Sequence, residues 1–264
     1  MATRMYLARS DAPSGTPTQD ALWDFTTGFV RRHLETGKYQ PDSLPPAQLT
    51  ISGINTNSPA GAVDVLLAQF IGPPLDSNQT ISGNIKGQVS FAESNAAADM
   101  RAQIVVWVWT GSGSRGTLYA GDAGALSSEF SVFGTVTNRK VPRGGSTALS
   151  SVNAQTGDRI VVEIGGRKHE NATTSRNMTV IFGAQNGITD FSEDETDTNQ
   201  NKAAWVEFSQ TITFSQPTAR VSQFSRRIAA AGDSNIRVSQ FSRRVAIKDA
   251  VAGSSSSVII MWHD

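Results

Sequence analysis

The chain has 264 residues, no cysteine, 23 basic against 23 acidic side chains, and only 17% charged residues. Without cysteine, disulfides, thiolate metal sites and thiol catalysis are excluded, and a formal charge of zero argues against a general pull toward nucleic acid or a membrane surface. Twenty-three glycines among frequent Ser, Thr and Asn residues suit short strands joined by tight turns, in one large all-β domain or two smaller ones.

Residues 1–48 form a mixed opening, expected as an N-terminal arm. The first residues, MATRMYLAR, lack an apolar core long enough for a secretory signal, and no stretch of the chain reaches the roughly 18 apolar residues of a membrane span. The run DAPSGTPT at 11–18 is a loop by composition. From Asp20 to Leu34 the spacing of Leu22, Trp23, Phe25, Phe29 and Val30 is partly helical, but Thr26, Thr27 and Gly28 weaken a helix, and a strand or irregular arm fits as well.

Residues 49–214 read as strand after strand. From Gln79 to Phe91, Ile81, Gly83, Ile85, Gly87, Val89 and Phe91 alternate with Ser82, Asn84, Lys86, Gln88 and Ser90, the pattern of a sheet with one wet face. Arg101–Trp109 is apolar on both faces and predicts a central strand. Further strands are expected at 128–136, 159–164, 177–182 and 205–214, the last interrupted on its apolar face by Gln210. Turn-rich links at 111–116, 121–124, 143–146 and 156–158 separate them. The resulting expectation is all-β: a jelly-roll-like β-sandwich at 49–214, with an N-terminal arm and a C-terminal β-repeat extension.

The character changes at Pro217. The octapeptide RVSQFSRR occupies 220–227 and recurs unchanged at 237–244, followed by Ile228-Ala229 in one copy and Val245-Ala246 in the other. Seven basic residues between Pro217 and Val251 stand against Asp233 and Asp249, a net of +5, so the rest of the chain carries −5. Active sites are not built by duplication, whereas docking strands are. In an extended strand Val221, Gln223, Ser225 and Arg227 share a face, opposite Ser222, Phe224, Arg226 and Ile228. The two copies can pair with each other as a hairpin or add separately to the sheet edges of neighbours. The partner-docking residues are therefore Arg220, Val221, Gln223, Phe224, Arg226 and Arg227 in the first copy. Their counterparts are Arg237, Val238, Gln240, Phe241, Arg243 and Arg244 in the second. Arginine guards strand edges and forks onto carboxylates. With two phenylalanines for stacking and no overall basicity, nucleic acid is not the expected partner.

Few other features carry chemistry. Five carboxylates fall within Asp190–Asp197, and Asp190, Glu193 and Asp194 are weak candidates for calcium, without a spaced loop motif. The same acids could instead accept arginines of an adjacent copy. His33, His169 and His263 are far apart with no metal spacing, and there is no G-x-S-x-G. Gly111–Gly116 matches G-x-G-x-x-G but lies between strands, with no helix N-terminus to hold a phosphate. Asn78, Asn171 and Asn177 begin glycosylation triplets without a secretory context. Trp107 and Trp109 share one face of a strand whose other face is also apolar, which favours burial over a sugar platform. No catalytic residue and no cofactor is expected.

Several segments carry a resemblance: MATRMYL at the start with Trp23 downstream, TISGNIKGQ at 80–88, ESNAAADMRAQ at 93–103, RKVPRGG at 139–145, GDRIVVEIG at 157–165 and WVEFSQ at 205–210. In this order the chain resembles a family of virion structural proteins of tailed bacteriophages, and its tandem unit is similar to short repeats at the ends of such proteins. The resemblance implies a virion component with a jelly-roll-like body, assembled in the host cytoplasm, likewise without enzymatic activity. Its partners would be major capsid or tail subunits and further copies of itself. The resemblance does not place it in head or tail; a compact sandwich with basic extensions is expected as a capsid decoration or cement protein docking through its terminal extensions, the alternative being a tail or fibre-associated protein whose sandwich binds host glycans through Tyr119 or a tryptophan with loop Asn and Asp residues.

Overall fold

The computed structural model describes residues 1–11, 15–38, 46–54, 63–121, 129–132, 136–168, 176–184 and 187–215. The repeat segment and the last apolar run at 258–262 lie outside them. Among the described residues the only helix is one 3-10 turn at Ala96–Ala98, and the rest is strand, turn and loop.

The strands are β1 (Thr3–Asp11), β2 (Val30–Glu35), β3 (Ala47–Ile54), β4 (Val63–Pro74), β5 (Gln79–Ile81), β6 (Asn84–Glu93), β7 (Met100–Trp109) and β8 (Ser114–Tyr119). They continue with β9 (Ser131–Val132), β10 (Thr137–Lys140), β11 (Thr147–Ala148), β12 (Val152–Ala154), β13 (Arg159–Lys168), β14 (Arg176–Phe182) and β15 (Trp205–Phe208). A mixed sheet runs β3-β14-β6-β15-β1-β2-β4-β13-β7-β8, with β9, β10 and β11 added to β6, and β12 pairs with β5 separately. All pairs are antiparallel except β2 with β4 and β6 with β9.

β6 is where the sheet divides. Along one edge it bonds β15 through Ile85–Gln88 and then β14 through Ser90–Glu93, end to end; the other edge takes β11, β10 and β9 in turn. The two branches close on one core, giving a jelly-roll-like sandwich. Phe182 of β14 meets Phe70 of β4 edge to face, with centroids 5.2 Å apart, and Phe91 stacks on Phe130 at 4.5 Å. Met5, Leu34, Phe70, Ile104, Val162, Val180 and Phe208 are all fully buried in this core.

β13 is the most enclosed strand, paired with β4 on one side and with β7 along its whole length on the other. Its alternation is decisive. Ile160, Val162 and Ile164 enter the main core, while Val161 joins Leu66, Ile71, Val105, Trp107, Trp109 and Trp23 in a second apolar layer on the outer face. β7 likewise feeds both layers, as expected of a strand apolar on both faces.

Of the opening read from sequence as an arm, Thr3–Asp11 and Val30–Glu35 are strands within the sheet. β1 lies between β15 and β2, and β2 runs parallel to β4. No helix forms between Asp20 and Leu34: Trp23 and Leu22 cover the outer layer and the chain then enters β2.

Two expected strands are shorter in the structure. Residues 79–91 break at Gly83, whose φ of 81° favours glycine, so β5 leaves for β12 while β6 stays in the main sheet. The face expected to be wet is wet only at its start. Gln88 and Ser90 are buried where β10 pairs alongside and its Asn138 ties in the 190–197 loop: Asn138 Nδ2 donates to Gln88 Oε1 at 2.8 Å and to Ser192 O at 2.7 Å. The strand expected at 205–214 stops at Phe208. Beyond it Ser209 Oγ accepts Asn84 N and Gln210 Oε1 accepts Ser82 N, both at 2.8 Å, so side chains replace the backbone ladder.

Candidate functional site

The outer face of β4, β13 and β7 is covered by a strap, residues 15–29, held by two buried carboxylates. Glu163 is fully buried between Val162 and Ile164. It accepts Trp23 Nε1 at 2.6 Å, Gln69 Nε2 at 2.9 Å and Asp20 N at 3.2 Å to each oxygen. Gln69 Oε1 in turn accepts Arg31 Nε at 2.9 Å. Burial pushes the Glu163 carboxyl up from its ordinary value, and the donors Gln69, Trp23 and Asp20 work against that rise. The second anchor is Asp64. Its carboxylate takes a forked pair from Arg167, 2.7 Å at Nε and 2.5 Å at Nη2, and Gln103 Nε2 at 3.1 Å. Its backbone accepts Asp24 N and Phe25 N, each at 3.0 Å.

Glycine makes the strap fit. A Cβ on Gly165 would stand 1.9 Å from Val65 O and 2.6 Å from the Trp23 ring, so only glycine lets Trp23 lie flat on the sheet. Between the strap at 15–21 and the β7–β8 turn at 111–114 lies a cleft of about 360 Å³, floored by Trp107 and Trp109. The two indoles are only 4% and 7% exposed, and Gly15 packs against the Trp109 ring. They are core residues first. The turn itself is a β-hairpin, with Thr110 N donating to Gly113 O at 2.9 Å and Gly111 at φ 93°, which is why the G-x-G-x-x-G pattern occurs there.

The acidic loop is engaged within the chain. Asp190 Oδ2 accepts Arg4 Nη1 at 2.8 Å, and its Oδ1 lies 2.6 Å from Lys38 Nζ. Burial opposes ionisation of Asp190, but Lys38 and Arg4 outweigh it and hold the carboxyl below the usual carboxylate range. Glu193 pairs with Lys86 at 2.8 Å. Asp194 accepts the Ser192 and Thr196 hydroxyls, which bring it down to about 2. Glu195 caps Lys140 N at 2.7 Å, and Asp197 pairs with Lys202. Arg4 also lies 3.9 Å over the Trp205 ring and bonds Glu207 at 2.9 Å. The weak calcium candidates Asp190, Glu193 and Asp194 therefore face separate protein partners, and among the described residues no group of three or more His, Asp or Glu side chains is placed to hold a metal. The cations expected from a neighbour are supplied by Arg4, Lys38, Lys86 and Lys202 of the same chain.

A third buried carboxyl closes β6. Glu93 is 1% exposed; its Oε2 accepts Met100 N at 2.9 Å and its Oε1 has no donor. Burial, together with the carboxylates of Glu129 and Asp99, pushes it up to about 8 against the bond from Met100. Arg139 closes the far side, donating to Glu129 O at 2.8 and 2.6 Å.

None of Glu163, Asp64 or Glu93 was singled out by sequence reasoning. The available signal was an acid inside an otherwise apolar strand, as in IVVEIGG at 160–166 and VDVLLAQFIG at 63–72. The structure brings no predicted site residues together. The twelve docking residues from Arg220 to Arg244 lie outside the described residues, as do His169, His263 and Asn171. His33 Nδ1 lies 3.8 Å from Glu35 Oε1, and Asn78 Oδ1 accepts Thr156 N at 2.9 Å as part of a turn. Tyr119 is half-buried against the core.

No protein-family model and no curated protein matches the chain. Similar solved structures include that of infectious bursal disease virus, Gx strain, at 12% identity and a TM-score of 0.24, with 61% of this chain and 35% of that one covered. Another is the Eiger TNF from S. frugiperda, at 12% identity and a TM-score of 0.21, with 56% of this chain and 100% of that one covered. The chain thus spans about a third of the length of the first. At these scores neither likeness carries an argument about function.

Proposed function

We propose that the chain is a non-enzymatic structural protein of a bacteriophage virion, a capsid decoration or cement protein that docks on neighbouring subunits through its C-terminal repeats. The observation that carries this reading is the unchanged duplication of RVSQFSRR in a segment of net charge +5, placed beyond a sandwich that bonds its own chain through Ser215. Ser215 N donates to Pro74 O at 2.8 Å, and Phe214 bridges to Leu75, so the body is finished before the repeats begin. The acidic loop supports the reading from the other side. All five of its carboxylates already have bonding partners on the body itself. Without cysteine, such a particle is held by packing, strand addition and ion pairs.

The test adds full-length protein, or a chain ending at Gln216, to particles lacking it and counts bound copies after sedimentation. Loss of binding on truncation is expected; equal binding refutes docking through the repeats. The cleft at 15–21 and 111–114, with its rim of Thr and Ser hydroxyls over two indoles, favours a second reading as a tail or fibre-associated, glycan-binding sandwich. That reading requires the isolated protein to bind host cells or glycans.

A further inference from the structure

The two ends of the main sheet are built differently. β8, at one end, meets β7 through two register shifts, carries Arg115 fixed on Asp158, and has Leu118 O taken by Ser150 N at 2.8 Å. Bulges, a fixed charge and a passing chain are the usual guards of a sheet edge. β3, at the other end, has β14 along one edge and no strand along the other among the described residues. Its sequence, AQLTISGI, contains no charged residue and no proline, and it pairs with β14 in regular register from Ala47 to Ile51. Ala47 and Leu49 pack on the core, while Gln48, Thr50 and Ser52 are exposed. The register shifts between Ile51 and Ile54, but the uncharged edge ahead of that shift, Ala47–Ile51, is regular and is a template for another strand.

The sequence supplies a candidate strand. Forty-nine residues follow Ser215 and hold the ten-residue unit twice, at 220–229 and 237–246. Each copy alternates Val and Gln with Ser and Phe, contains no glycine or proline, and is long enough to cover β3. Among the described residues the chain has one such open edge while its sequence holds two copies of the unit, so both copies cannot be seated on their own β3.

We propose that the β3 edge accepts one RVSQFSRR strand donated by a second copy of this chain. This rests on the reading of the repeats as docking segments and names their acceptor. Backbone hydrogen bonds to β3 supply the affinity, and the exposed Gln48, Thr50 and Ser52 face the donor's Gln and Ser side chains. The arginines stay at the solvent side of the joint, which suits an acceptor strand without carboxylates.

The test uses a labelled peptide of residues 220–229 and the chain ending at Gln216, which keeps every residue of the described core. Fluorescence anisotropy should show binding that Q48K/S52K weakens about tenfold or more while Q48A/S52A leaves it intact, since lysine guards an edge and alanine does not. Equal binding to all three, or binding to none, overturns the proposal. Sedimentation velocity of the full-length protein should show an oligomer that Q48K/S52K dissociates; a full-length monomer at every concentration means the strand docks on its own chain and also overturns it. Particle binding separates this inference from the reading beneath it. If the peptide fails but truncation still abolishes particle binding, only the β3 acceptor falls. If the truncated chain binds particles as well as full length does, docking on the virion through the repeats falls, whatever the peptide shows.

Discussion

Replacing Glu93 by glutamine should make the protein more stable at alkaline pH and leave it unchanged in acid. The buried carboxyl accepts only Met100 N, and Glu129 and Asp99 oppose its ionisation, so its folded value stands near 8 against an ordinary 4.5. The folded state therefore holds a proton that the unfolded chain releases between these two values. Stability linked to Glu93 is fully present below about pH 4.5 and is lost as pH rises through about 8. At about 1.4 kcal/mol per unit the full shift would give about 5 kcal/mol, an upper bound. Relaxation of the surroundings around the charged carboxyl reduces this, and about 1–2 kcal/mol is the expected size. Glutamine keeps an acceptor for Met100 N and carries no charge to bury. Urea denaturation of wild type and E93Q at about pH 5, 6.5 and 8 should yield curves that coincide in acid and separate by about 1–2 kcal/mol at the top of the range. Parallel curves, or a variant less stable at pH 8, would refute the account of Glu93 as a buried, protonated acid.

The strap gives two further tests. G165A forces a Cβ onto Val65 O and the Trp23 ring and should cost about 3 kcal/mol or more, read by denaturant midpoint or by loss of soluble protein. W23A empties the outer apolar layer and removes a donor from Glu163, for an expected loss of about 3–5 kcal/mol; E163Q, which keeps the shape, should cost less. Asp190 has the opposite pH behaviour to Glu93. Its depressed carboxyl contributes stability above the unfolded value that is lost as pH falls through the folded one, so D190N should flatten the acid limb of the stability curve below about pH 4. Millimolar calcium should leave the melting temperature unchanged, because Asp190, Glu193 and Asp194 each face a different protein partner.

The architecture was largely legible because β-sheets write themselves with a period of two. The double-faced apolar run at 101–109 placed β7 inside the sheet, where the structure has it between β13 and β8, and the run at 159–164 gave β13 as a strand without its place. Breaks were harder to read. Gly83 looked like an inward position in one long strand, yet its positive φ ends β5, and Gln210, read as an interruption, takes over the hydrogen bond of Ser82 N. Long-range pairing was invisible. Nothing near Met1 signals that β1 will lie beside β15, some two hundred residues away, and nothing in DALWDF shows that Trp23 will find Glu163. The buried acids were missed for the same reason: an acid in an apolar strand is conspicuous, but its partner is supplied by the fold.

The central claim is that the repeats attach the sandwich to its neighbours, and it is tested most directly by counting copies bound per particle for chains lacking residues 220–229, lacking 237–246, or lacking both. The account requires a graded loss, partial for each single deletion and complete for the double. Full occupancy by the double deletion would contradict it and move the attachment surface onto the sandwich.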